Sequence, residues 1–72
     1  MVKKITRKQL DKLIEDLKTA RLYLTILLAD SHDRKAISEK TGISSVYLND
    51  FVKGRKKISD TMVINILNKW VD

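Results

Sequence analysis

The sequence predicts an all-α fold of four or five helices in one domain spanning residues 1–72, with no strand. Three observations carry that expectation. Proline is absent and glycine occurs only twice, which favours helices over a sheet-and-turn architecture. Apolar residues recur at helical spacing near both ends of the chain. Both glycines, Gly42 and Gly54, directly follow short helical patterns, where a left-handed residue ends a helix. A chain of 72 residues has no room for a second core and is marginally stable, so surplus apolar surface would hint at a partner subunit.

The first helical segment runs from Arg7 to about Ala29, with Thr6 as its N-cap. Leu10, Leu13, Ile14, Leu17, Leu24 and Leu28 follow one stripe, and Arg21 falls awkwardly inside it. Leu22, Ile26 and Ala29 make a second strip on the far side. The segment is therefore either one extended N-terminal helix covered on both faces or a helix broken near Lys18–Thr19. The stretch Asp30–Asp33 reads as a linker, with Asp33 as the cap of a helix from Arg34 to about Thr41. Gly42 turns the chain, Ser44 caps a helix over about Ser45–Lys53, and Gly54 ends it. The cations Arg55, Lys56 and Lys57 form a loop. Ser59 then caps a last helix, about Asp60–Val71, with Val63, Ile66, Leu67 and Trp70 on one face.

Lysine and arginine total 15 against 9 acidic residues, a net charge of +6. This excess suggests an anionic partner, although it also serves solubility. Cysteine is absent, so no disulfide or thiol chemistry is available. The longest apolar run, Leu22–Ala29, is far shorter than the roughly 20 residues that span a bilayer. Met1-Val2-Lys3-Lys4 leads into no apolar core of a secretory signal, so a cytoplasmic location is expected. His32 is the single histidine, and one His without Cys makes no convincing metal site. No nucleophile–base pair is discernible. The chain is therefore not expected to be an enzyme or to hold a cofactor, metal or small-molecule ligand.

The stretch Ala36–Lys57 carries the functional signal. At about 100° per residue, Ser45, Asn49, Lys53, Val46 and Asp50 share one arc of the third helix. Leu48, Phe51 and Val52 share the other, with Tyr47 on the border. A short helix, a glycine corner and a second helix with a small, polar outer face make a helix-turn-helix, whose second helix can enter a DNA major groove. Asn49 can pair bidentately with adenine, and Asp50 can accept from cytosine N4. Val46 can touch a thymine methyl, and Ser44 and Ser45 can bond a base or a phosphate. The cations flank this helix. Arg34 and Lys35 open the preceding helix, where free amides already favour phosphate. Lys53, Arg55, Lys56 and Lys57 follow the reading helix, and Tyr47 presents a hydroxyl between the faces. These seven are the expected phosphate contacts, separate from the base contacts.

Residues 34–59, RKAISEKTGISSVYLNDFVKGRKKIS, resemble the phage-repressor/Cro helix-turn-helix family, also called XRE-type. Gly42 and Gly54 have that family's separation. Ile37, Ile43, Leu48 and Phe51 match its core positions, Ser44 its small polar residue at the start of the reading helix, and GRKKIS its basic loop. The resemblance implies a lambda-repressor-like domain that binds a palindromic operator as a homodimer. It implies that Arg34 and the loop after Gly54 contact phosphates while Ser44, Ser45, Val46, Asn49 and Asp50 face bases. Three departures stand out. Ser38 replaces the usual Ala, Thr41 the usual Leu, and Leu27 with Val52 an Arg–Glu pair.

The expected function is a sequence-specific double-stranded DNA-binding transcriptional regulator, a small phage- or plasmid-type repressor acting by promoter occlusion. One rival is a protein-binding module of the same fold, such as an antitoxin or a phage accessory factor. It is kept in view because the reading helix has no Arg or Gln on its outer face. A second rival is a DNA-packaging or recombination factor. Residues 1–9, MVKKITRKQ, read as an arm that follows DNA or as a plain basic terminus. The acids Asp11, Glu15 and Asp16 read as a solvated face paired with neighbouring lysines. A second copy of the chain could cover the Leu22–Ile26–Ala29 strip or the Met62–Val71 face. Trp70, Tyr23 and Tyr47 read as core or dimer surface.

Overall fold

The first helical segment is broken two residues before the expected position. The computed structural model describes residues 5–71 and has five helices: α1 (Arg7–Ile14), α2 (Leu17–Ala29), α3 (Ser31–Thr41), α4 (Ser45–Val52) and α5 (Asp60–Val71). No strand occurs among the described residues. The extended N-terminal helix is thus two helices, and the cause is Asp16. Its backbone leaves the helical region, and its carboxylate accepts from the Lys18 and Thr19 amides at 3.1 and 3.4 Å. The Thr19 hydroxyl donates to the other oxygen at 2.9 Å. An aspartate at this position satisfies amides that would otherwise lack partners, so it starts a helix.

Asp16 is therefore a cap and not simply one member of a charged face. The Thr19 hydroxyl and then the Thr19 amide, with a lesser contribution from the Lys18 amide, hold its carboxyl below the ordinary 3.8, against the opposing effect of desolvation. Its contribution to stability is present above that ordinary value. It is lost as the pH falls through the lower folded-state value.

Thr6 caps α1 as expected, in a reciprocal box with Gln9. The Gln9 amide donates to Thr6 Oγ1 at 3.2 Å, and the Thr6 amide donates to Gln9 Oε1 at 2.8 Å. The expected cap of α3 is corrected from Asp33 to Asp30. Asp30 ends α2 and also accepts from the His32 and Asp33 amides at 2.9 and 3.1 Å. Residues 31–33 are then the first turn of α3 and not a linker. Asp33 is an acid inside that turn, where the helix dipole favours it. Of the expected DNA arm, residues 1–9, residues 1–4 lie outside the described residues, while Thr6 caps α1 and Arg7–Gln9 form its first turn. Ile5 packs on the core.

All five helices feed one core. Leu10, Ala20, Leu24, Leu27, Leu28, Ile37, Leu48 and Leu67 have no exposed surface, and Ile58, Val63, Ile66, Phe51 and Trp70 are nearly as buried. The apolar face of α5 is consumed here, which leaves Met62 as its exposed large hydrophobic residue. Tyr23 packs partly buried against the same core. Burial pushes its phenol above the ordinary 10. Leu22 and Ile26 of α2 remain 60% and 50% exposed, so the second strip of the first segment has no cover among the described residues.

The corner between α3 and α4 is bonded by the residues that depart from the family pattern. Ser38 Oγ donates to the Ile43 carbonyl at 2.6 Å. Thr41 Oγ1 donates to the Ile37 carbonyl at 2.8 Å and accepts from the Ile43 amide at 3.2 Å. Between them lies Gly42 at φ 76°, with Gly54 at φ 78° at the end of α4. A Cβ at either glycine would meet nothing within 4 Å, so backbone conformation and not crowding selects glycine. Ser38→Ala is expected to lower unfolding free energy by about 1 kcal/mol, because it strips a part-buried carbonyl of its partner. Chemical denaturation measures this, and an unchanged midpoint would rule out the stitch.

Candidate functional site

The face opposite the buried side of α4 is the candidate site. Leu48 and Phe51 anchor the helix in the core, and Leu27 of α2 is buried in the same cluster with Val52 packed against it. With that side fixed, Ser44, Ser45 and Val46 stand exposed at the start of α4, and Asn49 and Asp50 are partly exposed further along. Val46 is 69% exposed, the highest figure among the exposed large hydrophobic residues. Ser44 caps the helix, its Oγ accepting from the Val46 amide at 3.1 Å, and its hydroxyl proton remains able to donate.

The loop after α4 is folded back on the helix through Asp50. The Arg55 and Lys56 amides donate to the Asp50 carbonyl at 2.8 and 3.3 Å. Arg55 Nη1 lies 3.8 Å from Asp50 Oδ1. Lys56 Nζ stands 5.9 Å from the centre of the Tyr47 ring, within cation–π range. Tyr47 is partly buried, whereas Lys53, Arg55, Lys56 and Lys57 are exposed. The loop cations are thereby gathered at the C-terminal end of α4. The cation–π contact and the loose ion pair turn two of them towards the helix.

The other flank is less uniform. Lys35 is exposed near the start of α3. Arg34 is partly buried, and its Nη1 donates to the Leu28 carbonyl at 3.0 Å, satisfying one of the carbonyls left open at the end of α2. Its guanidinium has further N–H groups to offer a ligand.

Sequence reasoning treated Arg21 only as a misfit in an apolar stripe. In the structure Arg21, Lys56 and Lys57 line a hollow of about 450 Å³ at the end of α4, floored by Phe51 and Ile58. Arg21 Nη2 lies 2.6 Å from Asp60 Oδ1. The signal was available, because an arginine inside a core stripe must find an anion or reach water.

Among the described residues, no three His, Cys, Asp or Glu side chains are grouped to hold a metal ion, and His32 is exposed. No helix among them is long and apolar enough to cross a membrane. Comparison with protein-family models, with curated proteins and with solved structures finds no match to this chain.

Proposed function

We propose that the chain is a helix-turn-helix protein that binds double-stranded DNA sequence-specifically and regulates transcription, as a small repressor that occludes a promoter. The observation that carries the reading is the outer face of α4. It is a row of small or hydrogen-bonding side chains with exposed cations beyond its end and Lys35 on the preceding helix. A reading helix needs small side chains for close approach to base edges, and it needs cations displaced to the flanks where the phosphates run.

In this reading α3, the Gly42 corner and α4 form the helix-turn-helix. Asn49 pairs with adenine, Val46 touches a thymine methyl, and Ser44 and Ser45 bond bases or the adjoining phosphate. Asp50 can accept from a cytosine N4, with Arg55 Nη1 3.8 Å from one of its two carboxylate oxygens. Lys35, Lys53, Arg55, Lys56 and Lys57 hold phosphates, joined by Tyr47 and by the N–H groups of Arg34 that Leu28 leaves unused. We propose a second copy of the chain as the cover of the Leu22–Ile26 strip. Two reading helices would then meet the two halves of a palindromic site. Sedimentation that gives a monomer at tens of micromolar, and also on DNA, would reject the dimer.

Asn49→Ala is expected to relax preference at one or two base positions and to cost about 1–3 kcal/mol on the best site. Binding to random duplex should be unchanged. Equal losses on both DNAs would remove Asn49 from the base-reading set.

The protein-binding alternative draws on the α4 face and on the exposed strip of α2. The arc of α4 offers no Arg or Gln to bases, and exposed Leu22 and Ile26 suit a protein partner. It predicts weak, sequence-indifferent DNA binding, which the selection experiment closing the Discussion separates from the first reading.

A further inference from the structure

The hollow lined by Arg21, Lys56 and Lys57 brings a cation from α2 to the loop that follows α4. Nothing in the local sequence around Arg21 connects it to that loop. The fold makes the connection by packing α2 against both α4 and α5. Its guanidinium already holds an anion, the carboxylate of Asp60, at 2.6 Å. That pair is in contact with water, with the Arg21 and Asp60 side chains 35% and 57% exposed. An ion pair of this exposure holds weakly, and its partners exchange readily for other charges.

A phosphodiester also fits this hollow. The planar fork of an arginine matches two phosphate oxygens, and Lys56 and Lys57 supply further positive charge beside it. Asp60 loses little when Arg21 leaves. It lies in the first turn of α5, where the helix dipole favours a carboxylate, and it is open to water. The exchange therefore strands no buried charge.

We propose that Arg21 is a contact to the DNA backbone, held ready by Asp60 and transferred to a phosphate when the duplex docks. This rests on the DNA-binding reading above. It adds a contact from outside the helix-turn-helix and its loop, with an internal carboxylate that competes for it. The competition makes Asp60 a brake on affinity.

The test is a cycle of four proteins: wild type, Arg21→Gln, Asp60→Asn and the double variant. Each is titrated into a labelled random-sequence duplex at salt concentrations between 50 and 300 mM, and its folding is checked by thermal melting. Arg21→Gln should make the slope of log K against log salt shallower by about 0.9, the value of one phosphate contact. Affinity near 150 mM salt should fall by about fivefold. Asp60→Asn should bind more tightly than wild type, and that gain should vanish when Arg21 is also replaced. A fifth protein, Arg21→Lys, should keep the wild-type slope, which a merely structural role for Arg21 would not require.

An unchanged slope in folded Arg21→Gln would overturn the proposal. So would a gain from Asp60→Asn that persists without Arg21, since it would reflect net charge alone. Failure of the wild type to bind duplex at any of these salts would overturn the DNA-binding reading itself, and this proposal with it.

Discussion

Leu48→Ala is expected to lower the melting temperature by roughly 10–25 °C, the shift that a loss of about 3 kcal/mol produces in a domain of this size. Leu48 has no exposed surface and is one of the two core residues that fix α4. Truncation removes its transfer free energy and leaves a cavity between helices that cannot fully collapse. A chain of this length has only about 4–10 kcal/mol of stability, so the loss is a large share of the total. Val46, two residues earlier on the same helix, provides the control. It is 69% exposed, and Val46→Ala should change stability by no more than about 0.5 kcal/mol. Thermal melts of both variants check the orientation of α4. Equal shifts would contradict the face assignments on which the candidate site stands.

Replacing Arg55, Lys56 and Lys57 together by glutamine should have the largest effect on binding. If each holds one phosphate, the slope of log K against log salt becomes shallower by about 2.7, and affinity near 150 mM salt falls on the order of 100-fold. The loss should be the same on the best site and on random duplex, because phosphates carry no sequence information. The fold should tolerate the change. The Arg55–Asp50 pair is loose at 3.8 Å, and the contact of Lys56 with Tyr47 is a single cation–π approach of 5.9 Å. Interactions of that kind contribute about 1 kcal/mol or less each. A salt slope that did not move would show that the loop cations are only solvated.

The helices were legible in the sequence because their signals are local. Thr6, Ser44 and both glycines act where their side chains or their φ values require, and the apolar stripe of α5 is buried as its spacing predicts. The corrections fall on two aspartates. Asp16 and Asp30 each have the chemistry to cap, although the residues around them read as a charged face and a linker. Only the backbone geometry shows that they start α2 and α3.

The residues of the candidate site were legible as a pattern along one helix. Their couplings were not, because these join residues distant in sequence or depend on how side chains fold back. Arg21 meets Asp60 across 39 positions, Arg34 turns back to Leu28, and Asp50 anchors the loop through its carbonyl. Ser38 and Thr41 depart from the usual residues of the resembled motif, and they bond the corner once Ile43 is in place.

The central claim is that the outer face of α4 reads DNA sequence. Its most direct test is selection of bound duplexes from a randomised pool near 150 mM salt, with the wild-type chain and Asn49→Ala run side by side. An enriched inverted repeat with half-sites about one helical turn apart is expected, with a loss of preference at one or two positions of each half-site in the variant. Binding that enriches no sequence, and that salt alone modulates, would contradict it.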